Sequence, residues 1–283
     1  MRDYISPTQF TMWYDCPIKW YIGYVLDRRL FKQTMPMAVG SAFDAFVKVK
    51  VLSLFGRQID GNKLLEQQVQ IKGEMRDVAI AEGFRVFQLY CQSGVLERLA
   101  RELDENVDVT GELKKDIGGV TVLGLPDCST KWLVLDWKVT GYGKGRTVSP
   151  EGGATWVSRE HARRVKPRTA VAHGVTINSE TIAPDKGKWI YWYPQVVIYS
   201  MLLDVPLAGI DQVCYRGDGS VNVACHRYRI SPEEKEHIRE RLVNMQAHIN
   251  KGHYLHDLSF EQSIELCAEL RDDTTLQDWY LAL

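Results

Sequence analysis

Apolar positions along the chain follow two rhythms, with a change near residue 105. Before it, aromatic and aliphatic residues recur at spacings of three and four, the period of a helix with one buried face. Phe10, Trp13, Tyr14 and Tyr21 mark the first such stretch, which opens on "SPTQF". Ser6 is placed to cap, Pro7 suits a first helical position and Gln9 completes a capping-box pattern, so a helix is predicted from about Pro7 to Tyr24. A second, from about Met37 to Leu54, carries Phe43, Phe46 and Val47 as its stripe. Further helical material is predicted over roughly 62–104.

From residue 107 the period shortens to two. "VDVTGELKKDIGGVTVLGLPDCSTKWLVLDWKVTG" is rich in Val, Ile and Leu and holds turn signals at "DIGG" and "CSTK". Three antiparallel strands are predicted, at about 107–115, 119–127 and 131–139. In the third, alternation puts Val134, Asp136 and Lys138 on one face and Leu133, Leu135, Trp137 and Val139 on the other. Tight turns would bring Asp127, at the end of the second strand, toward Asp136. A helix near Pro194–Leu203, two strands around "DGS" and a final helix from "SPEEKEH" to Lys251-Gly252 follow. This order predicts an α/β (α+β) fold with a mixed central sheet flanked by helices. It is read as one domain over 1–283: a mainly helical part (1–104), a core (105–230) with an insertion at 140–188, and a C-terminal helix and tail (231–283).

Composition changes this picture little. The 283 residues are 45% hydrophobic and 25% charged, with a net charge of -1, which selects no partner. The six cysteines form no CxxC pair, and no His/Cys spacing suggests zinc. The N-terminus lacks an apolar signal core, and "WIYWYPQVVIYSMLL" is too short to span a bilayer. An intracellular protein without a membrane span is expected. From Lys138 to Lys188, however, 10 Lys or Arg stand against 4 Asp or Glu. Such a stretch is either a solvated loop or a tracker of phosphates.

The candidate chemistry lies at Asp127, Asp136 and Lys138. Two carboxylates converging from adjacent strands suit a hard divalent cation such as Mg²⁺. A metal would activate water and clamp a scissile phosphate, and the nearby ammonium would steady developing charge. A surface Asp-Lys pair beside an unrelated turn Asp fits the spacing equally well.

Further motifs carry a resemblance. "PD" at Pro126-Asp127 and "DWK" at Asp136-Trp137-Lys138, with "VTG" after it, resemble the PD-(D/E)XK nuclease superfamily. Gln195 and Tyr199 in "YPQVVIYSMLL" are similar to the Q-x-x-x-Y motif of its RecB-like exonuclease branch, which includes standalone phage and CRISPR-associated nucleases. "SPTQFTMWYDCPIKWYIGY" resembles that branch's opening helix. The resemblance implies a restriction-endonuclease-like core and hydrolysis of DNA ends with Mg²⁺ or Mn²⁺, in recombination, repair or phage DNA processing. It implies metal ligands at Asp127, Asp136 and the main-chain carbonyl of Trp137, Lys138 orienting water, and Gln195 and Tyr199 supporting the substrate.

The chain departs from the branch at "GSAFDAF", where Asp44 stands at the usual position of a metal-binding His; Asp44 is carried as a fourth ligand. Glu112 is a further candidate, matching a carboxylate some relatives place before the PD strand. The iron–sulfur cluster of some relatives is not expected, because Cys214, Cys225 and Cys267 are too dispersed. Arg146, Arg159, Arg163, Arg164, Lys166 and Arg168 are candidates for phosphate contacts, and Trp156 and Trp189 for base stacking. No P-loop is present, so ATP-driven unwinding would come from a helicase or recombination partner. Two other readings stay open: a nuclease fold that binds DNA or protein without catalysis, and an endonuclease specific for sequence or structure.

Overall fold

A computed structural model describes residues 3–15, 17–26, 33–140, 154–156, 176–177, 180–181, 192–215 and 221–252. The N-terminal stretch contains the helical segments α1 (Pro7–Asp15) and α2 (Pro17–Tyr24), with residue 16 outside the described residues. Then come α3 (Met35–Leu54), α4 (Gly61–Gln68), α5 (Glu74–Gln92) and α6 (Val95–Glu102). Helices α3 and α5 cross closely at Gly83. A Cβ there would lie 2.5 Å from the Ala42 Cβ and 2.9 Å from the Val39 carbonyl oxygen.

The strand region differs from the expectation in a way that matters for the site. β1 (Leu113–Ile117) and β2 (Val120–Gly124) form a hairpin in its own two-stranded sheet, apart from the main one, and Ile5 adds an isolated parallel bridge to Val122. Their Gly118-Gly119 turn has positive φ at both positions, which suits the right-handed twist of a hairpin. Pro126 offers no donor, and the chain leaves the hairpin before starting again as β3 (Cys128–Ser129). β3 pairs antiparallel with β4 (Leu133–Thr140), with Cys128 opposite Leu135. Continuing that register by one residue sets Asp127 opposite Asp136. The expected meeting therefore happens through a two-residue stub, not through the second strand of a three-stranded meander.

The central sheet is mixed and five-stranded, in the order β3-β4-β8-β9-β5. It contains β5 (Ala154–Trp156), β8 (Leu207–Tyr215) and β9 (Val221–Arg229). β4 runs parallel to β8, while β8 and β9 are antiparallel. Among the described residues, two short strands, β6 (Thr176–Ile177) and β7 (Glu180–Thr181), pair with each other in a sheet of their own. The "DGS" turn and the tail beyond Gly252 lie outside the described residues.

Strand alternation divides the core into two. Val134, Ala208 and Ile210 face a cluster with Phe10, Trp13 and the helices α7 (Tyr193–Leu203) and α8 (Pro232–Asn250). Leu133, Leu135, Trp137 and Val213 face the other cluster, with Phe43, Val47, Val86 and Tyr90 of α3 and α5. Helices thus cover both faces of the sheet. α7 is buried almost all round, which explains a sequence apolar enough to raise the question of a membrane. Among the described residues no helix is long and apolar enough to cross one. α8 begins with the expected capping box between Ser231 and Glu234.

On the α3–α5 side lies a polar network that the sequence did not announce. Asp211 on β8 is fully buried. It accepts from Arg227 Nη1 at 2.7 Å and from the Tyr90 hydroxyl at 2.9 Å. Trp137 Nε1 donates to the Tyr90 hydroxyl at 3.2 Å, and Arg227 Nε donates to Glu102 at 2.7 Å. The indole of Trp137 is thereby held from one face while its main chain meets Asp127.

Candidate active site

Three elements deliver the acidic side chains. α3 presents Asp44 and, one turn on, Lys48. The bend just before β3 presents Asp127, and β4 presents Asp136 and Lys138 on the face away from Trp137. Trp137 donates its main-chain N–H to Asp127 Oδ2 at 2.9 Å. In an extended strand the N–H and C=O of one residue point to the same edge. The Trp137 carbonyl therefore also points toward Asp127, beyond the last β3 pair.

The structure brings together Asp44, Asp127, Asp136 and Lys138, and adds Lys48. The Lys48 ammonium lies 2.7 Å from Asp44 Oδ2 and 3.6 Å from Asp127 Oδ1. Lys48 is only 7% exposed. Lys138 lies 2.5 Å from Asp136 Oδ2, and Gln68 at the end of α4 donates to Asp44 Oδ2 at 3.0 Å. From α7, Gln195 Nε2 donates to the Tyr199 hydroxyl at 3.0 Å and reaches Asp136 Oδ1 at 3.5 Å. The Tyr199 hydroxyl donates to the Leu125 carbonyl at 3.1 Å. Gly124 permits this packing, since a Cβ there would lie 2.8 Å from the Tyr199 ring and 2.7 Å from Leu202.

Other expected residues are elsewhere. Glu112 is exposed just before β1 and shares none of the cluster's ion pairs. Arg146, Arg159, Arg163, Arg164, Lys166, Arg168 and Trp189 lie outside the described residues, and Trp156 ends the edge strand β5.

Burial and mutual repulsion govern the electrostatics. Removal from water pushes the Asp136 carboxyl up to about 7, with Lys138 opposing and Asp127 adding to the rise. Burial likewise pushes Asp44 up to about 7, helped by Asp127 and opposed by Lys48. Burial disfavours the charge on Lys48, yet Asp127 and Asp44 outweigh it and hold the ammonium protonated. Lys138 behaves in the same way: burial is outweighed, first by Asp136. Two lysines held as cations beside two carboxyls whose ionisation is opposed describe a site short of positive charge.

These shifts have a sign that a melt can read. Between about pH 4 and pH 7 the folded chain keeps the Asp44 and Asp136 protons that the unfolded chain has released. The two groups therefore make the metal-free protein less stable as pH rises through that window. Thermal melts in EDTA at pH 5 and pH 8 are expected to show Asp136→Asn with a flatter pH dependence than wild type.

Among the described residues no group of three Asp, Glu, His or Cys side chains is set to hold a metal ion by itself. Two carboxylates and a main-chain carbonyl remain, with Asp44 adjoining. The donor set nevertheless fits a hard cation. All the candidate donors are oxygens, and Asp44 Oδ1 and Asp136 Oδ2 are buried without a hydrogen bond, the latter having only its ion pair with Lys138.

Gln212 is a second residue that the sequence reading missed. It stands opposite Lys138 in the β4–β8 register, on the Asp136 face of the sheet, fully buried, with neither amide atom hydrogen-bonded. Burying such an amide unpaired costs about 1–3 kcal/mol. Gln212→Met is expected to raise stability by about that amount in chemical denaturation while lowering activity. A variant equal to wild type in both respects would remove Gln212 from the site. The available signal was two polar residues, Asp211 and Gln212, inside the apolar run "GIDQVCY".

No family model matches the chain, and no curated protein does. Among solved structures, the fold is similar to that of a provisionally named exonuclease from Eubacterium rectale. That likeness has a TM-score of 0.52 at 9% identity and covers 88% of this chain and 82% of that one. A phage-related exonuclease from Haemophilus somnus 129PT aligns with a TM-score of 0.34 at 15% identity, over 74% of this chain and 81% of that one. SSO0001 aligns with a TM-score of 0.29 at 11% identity, over 81% and 84%. The first likeness establishes a mixed α/β fold shared with that protein.

Proposed function

We propose that the chain is a divalent-metal-dependent DNA nuclease, a single domain that hydrolyses phosphodiester bonds at DNA ends. The observation that carries this reading is the convergence of Asp127, Asp136 and Lys138 where β3 meets β4, with Gln195 reaching the same carboxylate from α7. The likeness in fold to the Eubacterium rectale protein, itself provisionally named an exonuclease, supports the reading without specifying a substrate.

Asp127, Asp136 and the Trp137 carbonyl would hold Mg²⁺ or Mn²⁺, with Asp44 beside them. When bound, such an ion supplies Lewis-acid stabilisation of the phosphate and a more acidic water. The protein's own groups do the rest. Lys138, fixed by Asp136 and permanently charged, orients the attacking water and steadies the pentavalent phosphate as charge builds. The Trp137 N–H fixes one oxygen of Asp127. Gln195 and Tyr199 form a hydrogen-bonded rail from Asp136 to Leu125, along which a strand end would be aligned. The basic segment around Arg159–Arg168 would follow the DNA backbone, and any unwinding would come from a helicase or recombination partner.

End-labelled linear DNA and closed circular DNA, incubated with Mg²⁺, Mn²⁺ or EDTA, test this. Loss of the linear substrate alone, in either metal and not in EDTA, is expected. Cutting of the circle would replace the exonuclease reading with an endonuclease. DNA binding without cleavage in any metal would leave a nuclease fold used for binding.

A further inference from the structure

Lys48 is an unusual residue to bury. Its ammonium has little access to water, and its contacts are carboxylates belonging to the proposed metal site. The pairing with Asp44 is a helical i,i+4 contact, which on an exposed helix would contribute a few tenths of a kcal/mol and would not require burial. The contact with Asp127 is the informative one. It carries the charge of α3 across to the sheet, onto the oxygen of Asp127 opposite the one fixed by the Trp137 N–H.

Charge balance sharpens the point. Asp44, Asp127 and Asp136, taken as ionised, and the ammoniums of Lys48 and Lys138 leave the cluster with one negative charge. A single divalent ion turns this into one positive charge, which suits a phosphodiester. A second divalent ion would raise it to three positive charges in a buried pocket, at a large electrostatic cost. Without Lys48 the same acids would have room, in charge and in space, for another cation between Asp44 and Asp127.

We infer that Lys48 is a resident cation of the site: clamped between Asp44 and Asp127, it fills the place of a second divalent ion, so the site takes one ion, on the Asp127, Asp136 and Trp137 side. This rests on the metal-dependent reading above and deepens it. Asp44 then serves the site chiefly through Lys48, with Gln68 fixing the same carboxylate oxygen. A lysine at this place gives a fixed positive charge that does not exchange with the medium.

The test is the stoichiometry of Mn²⁺ binding to the full-length, metal-stripped protein, by calorimetry and by electron paramagnetic resonance, without DNA. Wild type is expected to bind one Mn²⁺, with the six-line spectrum of an isolated ion. Lys48→Gln and Lys48→Met, each confirmed as folded by circular dichroism, are expected to bind a second Mn²⁺, with the spectrum broadened by coupling between the two. Lys48→Arg keeps the charge and is expected to stay at one. Two ions in wild type overturn the inference while leaving the metal-dependent reading intact, and this result needs no variant to fold. One ion in every folded variant, with unchanged affinity, also overturns it. Absence of Mn²⁺ binding in wild type overturns both readings.

Discussion

Lys138→Ala is expected to reduce metal-dependent DNA hydrolysis by about 10²–10³-fold, the usual effect of removing one charged group aimed at a developing anion. The same variant should bind Mn²⁺ at least as tightly as wild type, because the ammonium 2.5 Å from Asp136 competes with any metal for that carboxylate. The split between the two measurements is what matters. A side chain that only stabilised the fold would weaken metal binding and rate together, and its variant would melt lower in the presence of metal. Single-turnover cleavage with calorimetry of Mn²⁺ binding reads both quantities. Equal rates for variant and wild type would remove Lys138 from the chemistry.

The largest effect on stability is expected at Asp211. Its carboxylate is fully buried and accepts from both Arg227 and Tyr90. Asp211→Ala takes from the guanidinium of Arg227 its fully buried carboxylate partner, and leaves the Tyr90 hydroxyl without that acceptor. Breaking one side of a buried pair costs about 3–5 kcal/mol, since the remaining charge stays out of water. Urea unfolding should show that loss. Replacing both partners together, as Asp211→Leu with Arg227→Met, should recover much of it, because the loss comes from the stranded charge. A double variant as unstable as the single one would mean that the network contributes through specific geometry instead.

Much of the architecture could be read from local pattern. The period-two alternation of "LVLDWKV" correctly assigned Val134 to one core and Leu133, Leu135 and Trp137 to the other, because only one residue in two can face each helical layer. Ser231, Pro232 and Glu234 marked a helix start whose capping box the structure contains, since a cap is satisfied by neighbours in the chain. Gln195 and Tyr199 were placed on one helix face by their spacing and do hydrogen-bond to each other.

What was not legible depended on partners distant in sequence. Nothing local says that the β1–β2 hairpin leaves the main sheet, or that Asp127 is set by a two-residue strand that follows it. Lys48 does not stand out in the sequence, because its second partner is 79 positions away on another element. Its i,i+4 spacing from Asp44 was the one available hint. Asp211 and Gln212 were hidden inside an apolar run for the same reason: the groups that make sense of them come from α5, β9 and β4.

The most direct test of the central claim, that this acidic cluster is a divalent-cation site, is a crystal structure of the protein soaked in Mn²⁺ with anomalous data. The expected result is a peak bound by Asp127, Asp136 and the Trp137 carbonyl, absent after Asp136→Asn. Anomalous density elsewhere on the molecule, or none with the Lys48 and Lys138 ion pairs unchanged, would contradict it.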